Sequence, residues 1–332
     1  MHGIYYAPPN YLRMSLYVEL SRPQGDISRW EKIYKRLQLL NKYYPLVVKD
    51  CNSKQKTKNN NDNDKLCNII SDILIKNDVV FFGGYSNKFY SNFIQKQHKH
   101  IFNDFTEFDV LSNHPDITSN IVLENLKEHG YNCSSIFHKS IGEIIPEHYE
   151  IKVNGETHVF IFKTIACHSY NEITIKKQKI KIATIETILS LYLAFLYTNM
   201  RYYNKNKLLC ISKLLFDLYT LKDINEKGIL KPFSISCYGH QDTLTDIRSK
   251  KSKTYNKFIE NDVDKDSFKY NMWFLKYNPK HKHYTTCSYK KNKINKTKKN
   301  TKEMVEKNKV ENNNNNENKV NLLLTKANSF LV

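Results

Sequence analysis

Val79-Val80-Phe81-Phe82-Gly83-Gly84-Tyr85-Ser86 is an apolar run that breaks into paired glycines and a serine. About twenty-five residues downstream stands Glu107-Phe108-Asp109-Val110-Leu111, an acid on either side of a phenylalanine. A strand alternates its side chains between faces, so Glu107 and Asp109 would share one face and Phe108 and Val110 the other. Two carboxylates on one rigid face can hold two divalent cations ~3.5–4 Å apart for in-line phosphoryl displacement. A glycine pair leaving a strand lets backbone N–H groups approach a triphosphate closely. Strand, Gly-Gly-x-Ser turn, helix and acid-x-acid strand, in that order, is the active-site layout of a nucleotidyltransferase. Phe89, Tyr90, Phe93 and Ile94 supply the apolar stripe of the intervening helix.

The surrounding chain is organised to fit. Residues 14–20 read as a short strand, and a helix follows from Ser28, which has Glu31 at capping-box spacing. Trp30, Ile33, Tyr34, Leu37 and Leu40 form the apolar stripe of that helix. Residues 1–49 are therefore expected to pack as a strand–helix segment on the core. Residues 50–65 are polar and low in complexity and read as a loop. Residues 66–173 read as one catalytic α/β unit. It includes a helix from Ser119 to His129, stopped by Gly130, and a hairpin of 149–153 and 158–162 turned by Asn154-Gly155. Residues 174–288 change to helical stripes, at Ile185, Ile188, Leu189 and Tyr192 and again at Leu208, Ile211, Leu215 and Leu218, which predicts a second, mainly helical domain. Residues 289–332 are rich in lysine and asparagine and read as a disordered basic tail. The fold class expected is α+β: a polymerase-β-like mixed sheet with helices, a helical second domain and the tail.

Composition narrows the function. The 332 residues carry 52 Lys and Arg against 33 Asp and Glu, a net charge of +19, which favours a polyanionic partner, nucleic acid first. The seven cysteines form no C-x-x-C pair and are odd in number, which predicts reduced thiols rather than a disulfide frame. No secretory signal is read at the N-terminus. The most apolar segment, 183–199, contains Glu186 and reads as a buried helix rather than a membrane span. His98-x-His100 and His281-x-His283 lack a full zinc set, and the adjacent Cys167 and His168 would point apart in a strand.

A two-cation site needs a third carboxylate from a neighbouring strand, and Glu150, sharing a hairpin face with His148 and Lys152, is the candidate. Glu107, Asp109 and Glu150 are thus the expected catalytic and metal-binding residues, and Gly83, Gly84 and Ser86 the triphosphate cradle. Lys181, Tyr202, Tyr203 and Lys207 sit where a second domain could close on the nucleotide.

Several segments carry a resemblance to a known family: Leu12–Pro23, Arg29–Pro45, the Phe81–Tyr85 turn, Phe108–Ser112, Ala166-Cys-His-Ser-Tyr-Asn171, Ile182–Phe195 and Phe233–Gly239. Across roughly residues 12 to 276 the chain resembles the poly(A) polymerase catalytic subunits of large cytoplasmic DNA viruses, of the mimivirus and asfarvirus kind. The resemblance implies template-independent addition of AMP from ATP to RNA 3′ ends, with two Mg²⁺ or Mn²⁺ ions. It also implies a homodimer or a viral partner subunit, no membrane association, and residence in the host cytoplasm at viral factories or in the virion. One departure stands out: the family pattern is Asp-x-Asp, and here the first acid is Glu107. The extra methylene moves the carboxylate oxygens by about 1 Å, a displacement that can cost on the order of a hundredfold in rate. An active polymerase, a non-catalytic paralogue that binds RNA or dimerises, and a nucleotidyltransferase with another acceptor all remain open at this point.

Overall fold

The apolar run at 79–82 lies near the centre of an eight-stranded sheet, and its four residues are at most 2% exposed. Such a strand is buried on both faces and shows no alternation. The computed structural model describes residues 6–48, 51, 61–103, 107–175, 177–200, 203–220 and 228–275. The expected tail at 289–332 and the His281-x-His283 pair lie outside these residues, as do Tyr202 and most of the expected loop at 50–65. So does the side chain of His100.

In chain order the elements are α1 (Pro9–Leu20), α2 (Trp30–Tyr43), α3 (Asn61–Lys76), β1 (Val80–Phe81), α4 (Gly84–Tyr90), α5 (Lys99–Asn103) and β2 (Phe108–Ser112). They continue with α6 (Pro115–Glu128), β3 (Cys133–His138), β4 (His148–Val153), β5 (Glu156–Lys163), β6 (His168–Ile175) and β7 (Gln178–Ala183). The last are α7 (Ile185–Thr198), α8 (Lys205–Thr220), β8 (Cys237–Tyr238), α9 (Leu244–Glu260) and α10 (Phe268–Phe274). The lateral order of strands is β3-β4-β5-β2-β1-β7-β6-β8. β1 runs antiparallel to β2 and parallel to β7, and β2 runs parallel to β5. The sheet is therefore mixed, as expected.

Four expectations need correction. Residues 14–20 are helical, within α1. The seven residues alternate well enough to suggest a strand, but the side chains that are buried are Met14, Tyr17 and Leu20, at helical spacing. Pro9 at the first helical position is the start signal. Second, residues 61–65 belong to α3 and not to the polar loop. Third, β7 lies beyond the expected domain boundary at 173, yet it pairs with β1 in the same sheet. The described residues form one compact unit. Fourth, reduced thiols were expected, and the structure pairs Cys51 with Cys210 and Cys167 with Cys237. Their Cα atoms are 5.6 and 5.2 Å apart, within disulfide reach.

Other elements follow the sequence closely. Ile33 and Leu37 bury the inner face of α2. That helix begins at Trp30 after a short turn, however, without a side-chain cap from Ser28. Val122 and Leu126 of α6 are fully buried, and Gly130 follows with φ +82°. The β4–β5 hairpin turns on Asn154 and Gly155, both at positive φ, as its tight turn demands. On one face of the sheet α7 delivers Phe195, which packs 5.4 Å from Phe162 and 6.2 Å from Phe82, ring to ring. Thr184 caps α7 by accepting the Thr187 N–H.

Candidate active site

The glycine turn and the acid-x-acid strand meet as the sequence suggests. β1 ends beside β2, and the Phe82 and Gly83 N–H groups donate to the Asp109 carbonyl at 2.9 and 3.2 Å. This places the Asp109 side chain directly on the turn. A Cβ added to Gly83 would stand 1.8 Å from Asp109 Oδ2 and 2.4 Å from Asp109 Cβ. Only glycine admits the carboxylate there. The Gly84 N–H donates to the same carboxylate, and the Tyr203 hydroxyl donates to Oδ1. α4 starts at Gly84 and α8 at Lys205, so backbone and second-half residues converge on one acid.

Asp109 is 1% exposed, and its carboxyl is pushed up to about 7. Burial is the main cause and the Glu107 charge adds to it, while the bonds from Tyr203 and Gly84 oppose it. Glu107 stands one residue before β2, half-buried. Burial raises its carboxyl as well, and the Lys207 ammonium nearby opposes that. The structure thus brings Glu107, Asp109, Gly83, Gly84, Tyr203 and Lys207 together.

It does not bring the other candidates there. Across the sheet Asp109 is partnered by Phe160 of β5, and Phe160 by Glu150 of β4. Paired residues share a face. Glu150 therefore lies on the right face but one strand too far out, with the Phe160 ring between. Its own partners are His138 at 2.8 Å, Lys152 at 3.5 Å and the Thr157 hydroxyl. These partners hold its carboxyl below the usual range despite partial burial. Ser86 is fully buried and donates to the Gly83 carbonyl at 2.8 Å, so it closes the first turn of α4 rather than facing outward. Lys181 pairs with Asp78 at 2.6 Å, and its ammonium lies over the Tyr170 and Tyr238 rings. Asp78 precedes β1, whereas the glycine turn leaves the far end of that strand.

The Ala-Cys-His-Ser-Tyr-Asn segment is a structural joint. Cys167 is bonded to Cys237, and Ser169 Oγ bonds Thr184 and Thr187 at 2.7 and 3.0 Å. Asn171 donates to the carbonyls of Ile229 and Lys231. Among the described residues no cluster of three or more His, Cys, Asp or Glu is placed to hold a metal. The donor set Glu107 and Asp109 suits one divalent cation bound through carboxylate oxygen, of the Mg²⁺ or Mn²⁺ type. It does not complete the three-carboxylate set expected for two.

The crystal structure of the Megavirus polyadenylate synthase matches with a TM-score of 0.60 at 17% sequence identity, over 77% of this chain and 55% of that one. The fold resembles that of a viral polyadenylate synthase. This chain spans a little over half the length of that relative. No protein-family model matches the sequence, and no curated protein matches it significantly. Among the described residues no helix is long and apolar enough to cross a membrane.

Proposed function

We propose that the chain is a nucleotidyltransferase of the polyadenylate-synthase type, transferring AMP from ATP to the 3′ end of RNA. One observation carries this reading: a buried aspartate seated on a Gly-Gly turn, with a second acid two residues before it, in a fold similar to that of a polyadenylate synthase. In the transfer, the 3′-oxygen forms a bond to the α-phosphorus and gives up its proton to solvent, the bond from the α-phosphorus to the bridging oxygen breaks, and pyrophosphate leaves with that oxygen. Glu107 and Asp109 would hold a divalent cation, which when bound supplies neutralising charge at the phosphates and lowers the pKa of the attacking hydroxyl. The Gly84 N–H fixes the Asp109 carboxylate, and Gly83 provides the space in which it sits. The Phe82, Phe160, Phe162 and Phe195 rings keep that side of the sheet apolar, which strengthens every charge interaction made there. The net charge of +19 favours RNA over a small acceptor.

Extension of a labelled short RNA with each of the four nucleoside triphosphates, in Mg²⁺ or Mn²⁺, tests the proposal. A ladder with ATP alone is expected. Asp109→Asn should reduce it by a factor on the order of a hundred or more, with circular dichroism unchanged. Undiminished extension by that variant would remove Asp109 from the mechanism.

A second reading is favoured by Phe160, which occupies the place beside Asp109 on β5 where a third acid would stand. On that reading the chain binds RNA or a polymerase subunit and transfers nothing. RNA binding without extension in any nucleotide would establish it.

A further inference from the structure

We propose that Tyr203 is a removable cap on Asp109, which a divalent cation must displace to bind; this rests on the reading of Glu107 and Asp109 as cation ligands. Asp109 Oδ2 lies against Gly83, so close that a Cβ there would be 1.8 Å away. That oxygen faces backbone. The other oxygen, Oδ1, accepts the Tyr203 hydroxyl. Asp109 is 1% exposed, so a cation that binds through this oxygen competes with that hydroxyl.

The cap is built rather than incidental. The Tyr203 ring stacks on Phe195 with centroids 4.8 Å apart and planes 10° from parallel. It also lies 5.7 Å from the Phe160 ring, the residue paired with Asp109 across the sheet. Phe195 is itself stacked on Phe162 at 5.4 Å. An aromatic column rising from the sheet therefore aims the hydroxyl at Oδ1. Lys207, four residues further on, places its charge beside Glu107. One stretch of chain thus gives Asp109 a hydrogen-bond donor and Glu107 a cation. Two buried acids side by side repel, and these partners offset that repulsion in the absence of a metal. A cation drawn to these acids competes with the same partners, so they set how tightly it binds. A group that stabilises only the metal-free state lowers apparent metal affinity by its own contribution.

Tyr203→Phe removes the hydroxyl and keeps the ring stack. Mn²⁺ binding to the full chain, read by electron paramagnetic resonance of free Mn²⁺ without nucleotide at a pH where Asp109 is ionised in both forms, should tighten about tenfold, as expected for loss of a charged-acceptor hydrogen bond. Asp109→Asn should bind Mn²⁺ more weakly than either. A second measurement does not depend on a variant: in protein carrying ring-labelled tyrosine, the Tyr203 ring resonance should shift as Mg²⁺ saturates the site. Equal or weaker Mn²⁺ binding by Tyr203→Phe would overturn the cap and leave Tyr203 as a support for Asp109. A Tyr203 resonance unmoved at saturating Mg²⁺ would do the same. RNA extension measured on the same preparations separates this proposal from the functional one. Tighter Mn²⁺ binding with no extension by any form keeps the cap and defeats the transferase. Extension with unchanged Mn²⁺ binding keeps the transferase and defeats the cap.

Discussion

A carbon added at position 83 would fall 2.4 Å from the Cβ of Asp109, an atom fixed to its own strand. The clash cannot be relieved by rotating the carboxylate, so β1 or β2 must move. Gly83→Ala should therefore lower nucleotidyl transfer on the order of a hundredfold, with the melting temperature falling as well. Steady-state kinetics and a thermal melt on one sample check this, and wild-type values would show that the turn is looser than its geometry. His168 offers a different single-residue test. It is 2% exposed, neither ring nitrogen has a hydrogen-bond partner, and burial pushes its pKa down to about 3. Unfolded, the same ring takes up a proton near 6.5, so the unfolded state binds more protons throughout that interval. The contribution is complete above about pH 6.5 and is lost as pH falls towards 3. Urea denaturation at pH 7, 6 and 5 should show stability falling by roughly 1 kcal/mol per pH unit from this group. His168→Asn should remove that part of the slope and leave the part due to His148, whose pKa burial lowers to about 4. An unchanged slope would mean that His168 is solvated.

At the scale of elements, legibility follows how local the signal is. The β4–β5 hairpin is readable because Asn154-Gly155 is the pair its positive-φ turn requires. The β6–β7 hairpin is not, because its turn places Lys177 at φ +69°, where composition gives no cue. β3 escapes notice as an edge strand, with residues 134–137 exposed and no apolar alternation. The glycine turn and β2 are legible, and with them Asp109; its contact with Gly83 follows from the β1–β2 register and is not. Glu150 shows the limit. Sequence gives the face its side chain takes along a strand, and that parity is right. It does not give the lateral order, which long-range pairing sets and which puts β5 between β4 and β2. Ser86 and Lys181 have local partners, the Gly83 carbonyl and Asp78, that no spacing rule displays. Tyr203 and Lys207, which the sequence places where a second domain could close on the nucleotide, lie beside the two acids.

For the whole molecule, the question is where the positive charge acts. Residues 289–332 hold 11 lysines and four glutamates, more than a third of the net +19. The remainder is distributed over a body in which several lysines are already paired, among them Lys152, Lys163, Lys181, Lys213 and Lys250. Paired lysines release few counterions on meeting a phosphate chain, whereas unopposed ones each steepen the salt dependence of binding, by about 0.7 per contact for a single strand. If RNA is the partner, the lysines after 288 should contribute a measurable part of that dependence. Fluorescence anisotropy of a labelled oligoadenylate across a salt series, on the full chain and on a chain ending at residue 288, measures it directly. The shortened chain should show a slope shallower by about 2 or more, with extension chemistry at the glycine turn preserved at low salt. Equal slopes would place the whole electrostatic contact on residues 1–288, and the lysine-rich stretch would then have to be explained by something other than RNA.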